Sequence, residues 1–170
     1  MNIAIVGATG NVGRKTLEVL ERKGLPIDDL YLVASSKSAG KKIHFQGKDI
    51  VVSELENFNF SKVKIAFFAA GGKISEKFAE KAAKHCLVID NSSFFRMDPD
   101  VPLIVPQVNS NALNDIKKNI IANPNCSTAQ LVIALKPLHD LFVIKRVVVS
   151  TYQSVSGAGK ASMDELIKQT

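Results

Sequence analysis

The sequence lacks the features that mark membrane, secreted and metal-binding proteins. No apolar run in its 170 residues reaches the roughly 20 residues that span a bilayer. The chain enters its first apolar segment, residues 3–6, without the basic segment and cleavage site of a signal peptide, so we expect a cytoplasmic protein. Two cysteines and three histidines stand apart from one another, without metal-ligand spacing. We therefore predict no metal site.

Positive charge is in excess but is not concentrated anywhere. The 22 Lys and Arg residues exceed the 16 Asp and Glu residues, and they are scattered along the chain. Because basic and aromatic residues do not interleave, we predict no nucleic-acid partner. The net charge of +6 fits small anionic ligands such as phosphates. With 46% apolar residues, the chain has enough material for one large domain, or for one domain and part of another.

Short apolar segments alternate with amphipathic segments over the first 122 residues. Leu17 and Leu20 follow Gly13 on one helical face, and Ile74, Phe78 and Ala82 mark a second helix. Residues on either side of Gln46-Gly47 predict a hairpin. The predicted buried strands are residues 2–6, 30–34, 64–69, 87–90 and 119–122. Strands alternating with helices indicate an α/β fold, a Rossmann-like doubly wound parallel sheet.

The pattern changes after residue 124. Helical spacing predicts a helix over residues 126–138, and a short one over residues 109–116. Residues 142–153 carry three consecutive valines, and we predict a strand of a different sheet there. A further helix starts near Met163. We therefore predict a first domain over residues 1–124, and the incomplete beginning of a second, α+β catalytic and dimerisation domain over residues 125–170.

Three glycines at the end of the first strand predict a nucleotide site. Gly7, Gly10 and Gly13 have the spacing GxxGxxG, a variant of the dinucleotide fingerprint. Glycine permits the tight turn, lets the backbone approach a pyrophosphate, and brings the helix close to the strand. The phosphate would lie at the helix N-terminus, where free N–H groups point. The three glycines lie between a predicted strand and an amphipathic helix, which is the context that the fingerprint requires.

The end of the second strand lacks the acid that usually binds the ribose of NAD. Residues 34–40 read Ala-Ser-Ser-Lys-Ser-Ala-Gly, with hydroxyls and a cation but no carboxylate. These groups favour a 2′-phosphate. We therefore predict NADP as the cofactor, with an ordinary polar loop as the alternative reading of the same residues.

One cysteine is placed where a nucleophile is expected. Cys126 falls in the first turn of the predicted helix, and Asn125 is a suitable N-cap residue. The positive end of a helix favours the thiolate form. From its position alone, Cys126 could equally be a small buried residue of the core. Cys86 begins the apolar segment 86–89, and we interpret it as inert core.

Six segments in order resemble the landmarks of aspartate-semialdehyde dehydrogenase, and together they run the length of the chain. They are residues 7–13, 34–40, 90–96, 105–109, 123–128 and 153–159. The chain departs from the family at Phe94, where Ala is frequent, and at Gln107, where Glu is frequent. The resemblance implies NADPH-dependent reduction of L-4-aspartyl phosphate to the semialdehyde with release of phosphate. This is a branch step toward lysine, methionine and threonine.

The resemblance also implies roles for particular residues. Cys126 is the nucleophile that forms a thioester, Gln153 positions the reacting group, Arg96 contacts the substrate phosphate, and Asn125 contributes polarity near the thioester oxygen. The catalytic pair is thus Cys126 and Gln153, and the substrate-binding pair is Arg96 and Asn125. The cofactor-binding residues are Gly7, Ala8, Thr9, Gly10, Asn11, Val12, Ser35, Ser36, Lys37, Ser38 and Gly157.

The general acid–base histidine of the family lies in a later motif, and none of His44, His85 and His139 matches it. Family members are longer and dimerise through the second domain. We therefore expect an N-terminal portion or a shortened product with little turnover alone, and a homodimer for the full-length enzyme. Two alternatives stay open: an enzyme like N-acetyl-γ-glutamyl-phosphate reductase, and a non-catalytic NADP-binding module.

Overall fold

A six-stranded parallel sheet forms the centre of the protein. The computed structural model describes residues 1–170, apart from the side chain of Lys160. The six strands of this sheet are β1 Ile3–Val6, β2 Leu30–Ala34, β5 Ser53–Glu54, β6 Ile65–Phe68, β7 Leu87–Asp90 and β8 Ile120–Ala122. The two remaining strands, β3 Lys42–Phe45 and β4 Lys48–Val51, form a separate hairpin. The order across the central sheet is β5-β2-β1-β6-β7-β8. This arrangement confirms the predicted Rossmann-like fold.

Helices cover both faces of the sheet because successive strand residues point to opposite sides. The helices are α1 Asn11–Lys23, α2 Gly72–Ala83, α3 Pro106–Asn109, α4 Cys126–Phe142 and α5 Lys160–Gln169. On one face Ile5 packs with Leu17 and Leu20 of α1. On the other face Val6 belongs to the cluster that includes Phe78 of α2. The two apolar layers fix the carboxyl edge of the sheet as a rigid platform.

The predicted hairpin is confirmed. Strands β3 and β4 pair antiparallel across a two-residue turn in which Gln46 and Gly47 both have positive φ, 46° and 78°. Positive φ at both central residues is the turn geometry that matches the twist of paired strands. Gln46 is held in this conformation by a backbone N–H that donates to the Glu21 carboxylate at 2.8 Å. The hairpin is thereby fastened to α1.

Three predicted elements differ in the structure. The short helix predicted over residues 109–116 is instead α3 followed by a 3-10 turn, Ser110–Asn114. The helix predicted over residues 126–138 continues to Phe142 and includes Pro137.

The strand predicted over residues 142–153 is wrong. Among the described residues this segment has no strand assignment and no pairing partner. A lone strand leaves its backbone N–H and C=O groups without the partners that define a sheet. Val148 and Tyr152 are accordingly exposed.

The C-terminal part packs more loosely than the sheet. No residue of α4 is buried, although the helix is rich in apolar side chains. None of the described helices combines the length and apolar composition needed to cross a membrane. The exposed apolar residues of α4 therefore form a surface that the first 122 residues do not cover.

Candidate active site

The glycine turn after β1 is too tight for any other residue at two positions. Gly7 has φ +88°, and a Cβ there would lie 2.8 Å from the backbone of Ala69. A Cβ on Gly13 would lie 2.2 Å from the Gly7 carbonyl oxygen. Gly7 is held in place because its N–H donates to Val33 O at 2.8 Å. The turn thus brings the start of α1 against the end of β1, as the glycine spacing predicts.

The N-terminus of α1 faces the carboxyl edge of the sheet without a side-chain cap. Its N-cap residue is Gly10, which has no side chain to bond the first N–H groups, and no acid occupies the first turn. The free N–H groups and the helix dipole make this end suitable for a phosphate. The Thr9 hydroxyl contacts the Ser38 hydroxyl at 3.3 Å, which ties the glycine turn to the loop after β2.

A cleft of about 630 Å³ runs along the carboxyl edge of the sheet. Its size falls within the range of small-molecule and cofactor sites. Eight of the predicted cofactor residues line it: Gly7, Thr9, Gly10, Asn11, Val12, Ser35, Ser36 and Gly157. Three do not: Ala8 is fully buried, while Lys37 and Ser38 lie in the turn just beyond the lining residues. The backbone cradle and the cleft fit a dinucleotide.

One side of this cleft was not predicted from the sequence. Glu54, Leu55 and Glu56 also line it, as do Ile74 and Phe78 of α2. Glu54 ends β5, a strand of two residues, and it pairs in register with Ala34 at the end of β2. A two-residue strand has no detectable alternation, so the sequence carried no signal for this position. No carboxylate follows β2, but Glu54 provides one at the end of the neighbouring strand β5.

Cys126 is exposed and is the first residue of α4. Asn125 caps this helix: its Oδ1 accepts from the Ser127 N–H at 3.0 Å and from the Ser127 hydroxyl at 2.7 Å. A side-chain cap of this kind satisfies a backbone N–H in the first turn. The structure therefore places the thiol at the capped N-terminus of a helix and not in the core.

Gln153 reaches the thiol from a distant part of the chain. Its amide nitrogen Nε2 lies 2.7 Å from Asn125 Oδ1, 3.2 Å from the Ser127 hydroxyl and 3.7 Å from Cys126 Sγ. Cys126, Asn125 and Gln153 are thus brought together although 27 residues separate the first from the last. The amide donor lies beside the sulfur, where it can stabilise a negative charge.

The second cysteine is unreactive by position. Cys86 is buried, and its thiol donates to Ala82 O at 3.4 Å. Burial raises the pKa of this thiol from 9.0 to about 11, because the charged thiolate loses its hydration. Its interpretation as inert core is confirmed.

Arg96 fastens two strand ends next to the cysteine turn. Its Nε donates to Asn123 O at 3.0 Å and one terminal nitrogen donates to Asn91 O at 3.3 Å. The side chain of Asn123 also donates to that of Asn91. Among the described residues Arg96 makes no salt bridge, so its remaining N–H groups have no carboxylate partner. Arg96 is 27 residues from Asn123 in the chain, and Asn123 precedes Cys126 by three, so the fold brings the guanidinium next to the cysteine turn.

A buried carboxylate shapes the loop that carries Arg96. Asp90 is fully buried and accepts from the Ser75 hydroxyl at 2.6 Å, the Ser92 hydroxyl at 2.7 Å and the Ser92 N–H at 3.1 Å. The Ser92 hydroxyl in turn accepts from the Phe94 N–H at 3.1 Å. This network fixes the first half of the loop to α2. This role of Asp90 was not predicted from the sequence, where the residue only ends a strand.

The histidines lie apart from the thiol cluster. His44 pairs with Asp49 on the hairpin, and within the described residues no histidine side chain hydrogen-bonds to Cys126, Asn125 or Gln153. No group of three or more metal-ligating side chains is arranged for a metal ion among the described residues. The functional groups brought together here are a thiol and amide donors.

Comparison with known proteins agrees with this arrangement. Residues 2–116 match the family described as semialdehyde dehydrogenase, NAD binding domain, and residues 135–170 match semialdehyde dehydrogenase, dimerisation domain. The aspartate-semialdehyde dehydrogenase of Rickettsia bellii is 54% identical over 171 residues, which covers 99% of this chain and 51% of the relative. The chain spans about half the length of the curated relatives it matches.

Two solved structures are similar along most of the chain. Aspartate semialdehyde dehydrogenase II from Vibrio cholerae, complexed with ASA, is 53% identical with a TM-score of 0.95, over 99% of this chain and 51% of that one. Aspartate semialdehyde dehydrogenase from Candida albicans, with NADP, is 32% identical with a TM-score of 0.68, over 85% of this chain and 48% of that one. The chain therefore belongs to the semialdehyde dehydrogenase family, as the N-terminal, NAD(P)-binding part of an aspartate-semialdehyde dehydrogenase homologue.

Proposed function

We propose that this chain carries the cofactor site and the nucleophile of an NADP-dependent phosphorylating dehydrogenase. The whole protein would interconvert L-aspartate 4-semialdehyde plus phosphate with L-4-aspartyl phosphate. One observation carries the proposal: the exposed thiol of Cys126 lies 3.7 Å from the Gln153 amide nitrogen. An exposed thiol at a helix N-terminus beside a fixed donor is the setting of a covalent nucleophile.

The cofactor is assigned to the cleft. The uncapped N-terminus of α1 would bind the pyrophosphate, and the hydroxyls of Ser35 and Ser36 with Lys37 would bind a 2′-phosphate. The NADP in the Candida albicans relative supports NADP over NAD. When bound, the reduced cofactor supplies hydride. Residues 156–159 also line the cleft and would help to exclude water from it.

The thiol performs the bond changes that this chain itself supplies. Cys126 as a thiolate attacks the acyl carbon of the acyl phosphate, the carbon–oxygen bond to phosphate breaks, inorganic phosphate leaves, and a thioester forms on Sγ. Backbone N–H groups in the first turn of α4, together with Gln153 Nε2, are fixed donors for the negative charge on sulfur and on the acyl oxygen. Asn125 holds the Gln153 amide, so its part is positioning as well as polarity.

Arg96 is assigned to the anionic group of the substrate. Two of its donors are used by main-chain carbonyls, which orient the guanidinium, and the others stay available for phosphate oxygens. A guanidinium held in this way loses less freedom when it binds an anion. This is the physical reason to prefer Arg96 over the scattered surface lysines.

We propose the domain division at residues 124 and 125. The helix that starts at Cys126 buries no residue against the first domain, and residues 135–170 match a dimerisation domain. The apolar surface of α4 would then be covered by the rest of the second domain and by the partner subunit of a homodimer. Because no histidine meets the thiol cluster among the described residues, we expect little turnover from this polypeptide alone.

A non-catalytic NADP-binding module is the second candidate, and the separation of the histidines from the thiol favours it. Phosphate-dependent NADP reduction with the semialdehyde, measured on the chain and on Cys126→Ala, separates the two. Turnover that this substitution abolishes supports the enzyme, and Cys86→Ala is the matched thiol control. Because little turnover is expected of this polypeptide alone, absence of turnover in both supports the module only when NADP binding is retained and incubation with L-4-aspartyl phosphate leaves no acyl group on Cys126. Absence of NADP binding contradicts both.

A further inference from the structure

The two ends of the cleft are chemically different. The strand order places β5 at one edge, β1 with its glycine turn two strands away, and β7 and β8 on the far side. Cys126 follows β8, so the reacting end of a bound dinucleotide must point toward that side. With strands about 4.8 Å apart, the end of β5 lies roughly 10 Å from the glycine turn. The opposite end of the dinucleotide, its adenine, is therefore directed toward β5.

The wall at the β5 end combines apolar surface with one half-buried carboxylate. Leu55 is buried and belongs to the same apolar cluster as Phe78, with Ile74 packed against that cluster. All three line the cleft beside Glu54. The Glu54 side chain is half-buried, and its Oε2 accepts from the Asn57 amide at 2.9 Å. One carboxylate oxygen is thus anchored by a neighbour at the mouth of an apolar slot.

This combination matches adenine. The base presents a flat apolar face and an exocyclic amine that donates hydrogen bonds, and an anchored carboxylate only accepts. We propose that Glu54 accepts from the adenine 6-amino group and is the residue that makes this site specific for an adenine dinucleotide. The assignment rests on the proposed cofactor function of the cleft, and it adds the base to the phosphates already assigned.

The neighbouring acid is placed differently. Glu56 is exposed, and its carboxylate is paired with Lys77 of α2 at 2.6 Å. An exposed ion pair is hydrated and offers little discrimination between bases. Glu54 has no such cation partner among the described residues, and it lies closer to the sheet because it is paired in register with Ala34. The structure therefore distinguishes two acids that the sequence shows side by side.

The test compares NADP with deamino-NADP, in which hypoxanthine replaces adenine and a carbonyl oxygen replaces the 6-amino group. Dissociation constants are measured by titration calorimetry for the unaltered chain, Glu54→Gln and Glu76→Gln. The unaltered chain should prefer NADP by about ten- to a hundredfold, the range expected for a hydrogen bond to a charged acceptor. In Glu54→Gln the preference should fall to about threefold or less, because the glutamine amide accepts from one base and donates to the other.

Glu76→Gln removes the same charge from an exposed position of α2 and should keep the full preference. Equal binding of the two dinucleotides by the unaltered chain would overturn the assignment and leave the proposed function standing. A Glu54→Gln variant that changes the ratio of NADP to NAD affinity, but keeps the base preference, would show that the carboxylate reads the ribose, and would also overturn it. Failure of the unaltered chain to bind NADP would sink the proposed function itself.

Discussion

The amide nitrogen of Gln153 lies 2.7 Å from Oδ1 of Asn125, the same oxygen that caps α4 through the Ser127 N–H at 3.0 Å. One asparagine oxygen therefore has two roles: it accepts a hydrogen bond from a free N–H group in the first turn of α4, and it holds a distant amide next to the thiol. Any change that frees this oxygen or removes its partner should alter both the helix start and the environment of Cys126.

Replacement of Gln153 by Ala should slow alkylation of Cys126 severalfold at neutral pH, because the sulfur loses the donor at 3.7 Å. Gln153→Glu should slow alkylation further, since a carboxylate beside the thiol opposes its ionisation. The rate is measured with iodoacetamide and mass spectrometry of the Cys126 peptide. Exposed Gln169, whose side chain donates to Glu165 within α5, provides the control Gln169→Ala, whose rate should equal that of the unaltered chain. Equal rates in all variants would remove the amide from the proposed mechanism.

Replacement of Asn125 by Ala should destabilise α4 by about 1 kcal/mol, the usual value of an N-cap side chain. It should also slow Cys126 alkylation as Gln153→Ala does, because the glutamine amide loses its anchor. Hydrogen exchange of the first turn of α4 and the alkylation rate are the two measurements. The double variant Asn125→Ala/Gln153→Ala should react no more slowly than Gln153→Ala alone. If its rate is instead reduced by the product of the two single effects, the two residues act independently, which contradicts this prediction.

Gly13→Ala should destabilise the first domain by at least about 2 kcal/mol, because a Cβ would lie 2.2 Å from the Gly7 carbonyl oxygen and the helix would have to move. Gly72→Ala makes the same substitution at the start of α2, where the nearest atom lies 3.9 Å away. That control should be neutral or slightly stabilising. Urea unfolding compares them, and equal stabilities would contradict the close packing of α1 on β1.

The buried thiol of Cys86 should make stability depend on alkaline pH. Its pKa is about 11 in the folded chain and 9.0 ordinarily, so the unfolded chain releases this proton first. The free energy of unfolding therefore keeps its full value below pH 9. As the pH rises from 9 to about 11, ionisation of this thiol in the unfolded chain lowers the free energy of unfolding by roughly 2–3 kcal/mol. Unfolding free energies at pH 8.5 and 10.5 should therefore fall less in Cys86→Ala than in the unaltered chain. Parallel losses would show that Cys86 does not contribute.

An acid placed after β2 should reverse the cofactor preference. Ser36→Asp would accept from a ribose 2′-hydroxyl and repel a 2′-phosphate, so affinity for NADP should fall at least about tenfold relative to NAD. Ser61→Asp adds the same charge at an exposed turn outside the cleft and should leave the ratio unchanged. Dissociation constants for both dinucleotides provide the ratio. An unchanged ratio in Ser36→Asp would contradict the assignment of residues 35–38 to the 2′-phosphate.

Local chemistry in the sequence was enough to predict the sheet, the glycine turn, the hairpin at Gln46-Gly47 and the cysteine at a helix start. Most of these depend on residues that are neighbours in the chain: a Cβ on Gly13 would meet the Gly7 carbonyl oxygen, six residues away. Gly7 has in addition a tertiary restriction, because a Cβ there would meet the backbone of Ala69 after β6. The strand predicted over residues 142–153 failed for the opposite reason. β-propensity indicates a strand only when another strand lies beside it, and propensity carries no information about that partner.

By itself the sequence determined how strands and helices alternate along the chain, and hence a parallel sheet, because apolar periodicity and turn residues act over short distances. Only the tertiary structure decided which distant side chains meet: Gln153 with Asn125, Arg96 with the ends of β7 and β8, and Glu54 with the end of β2. These contacts depend on how the strands are arranged across the sheet. That arrangement results from packing two apolar layers on its faces, a property of the whole chain and of no local segment.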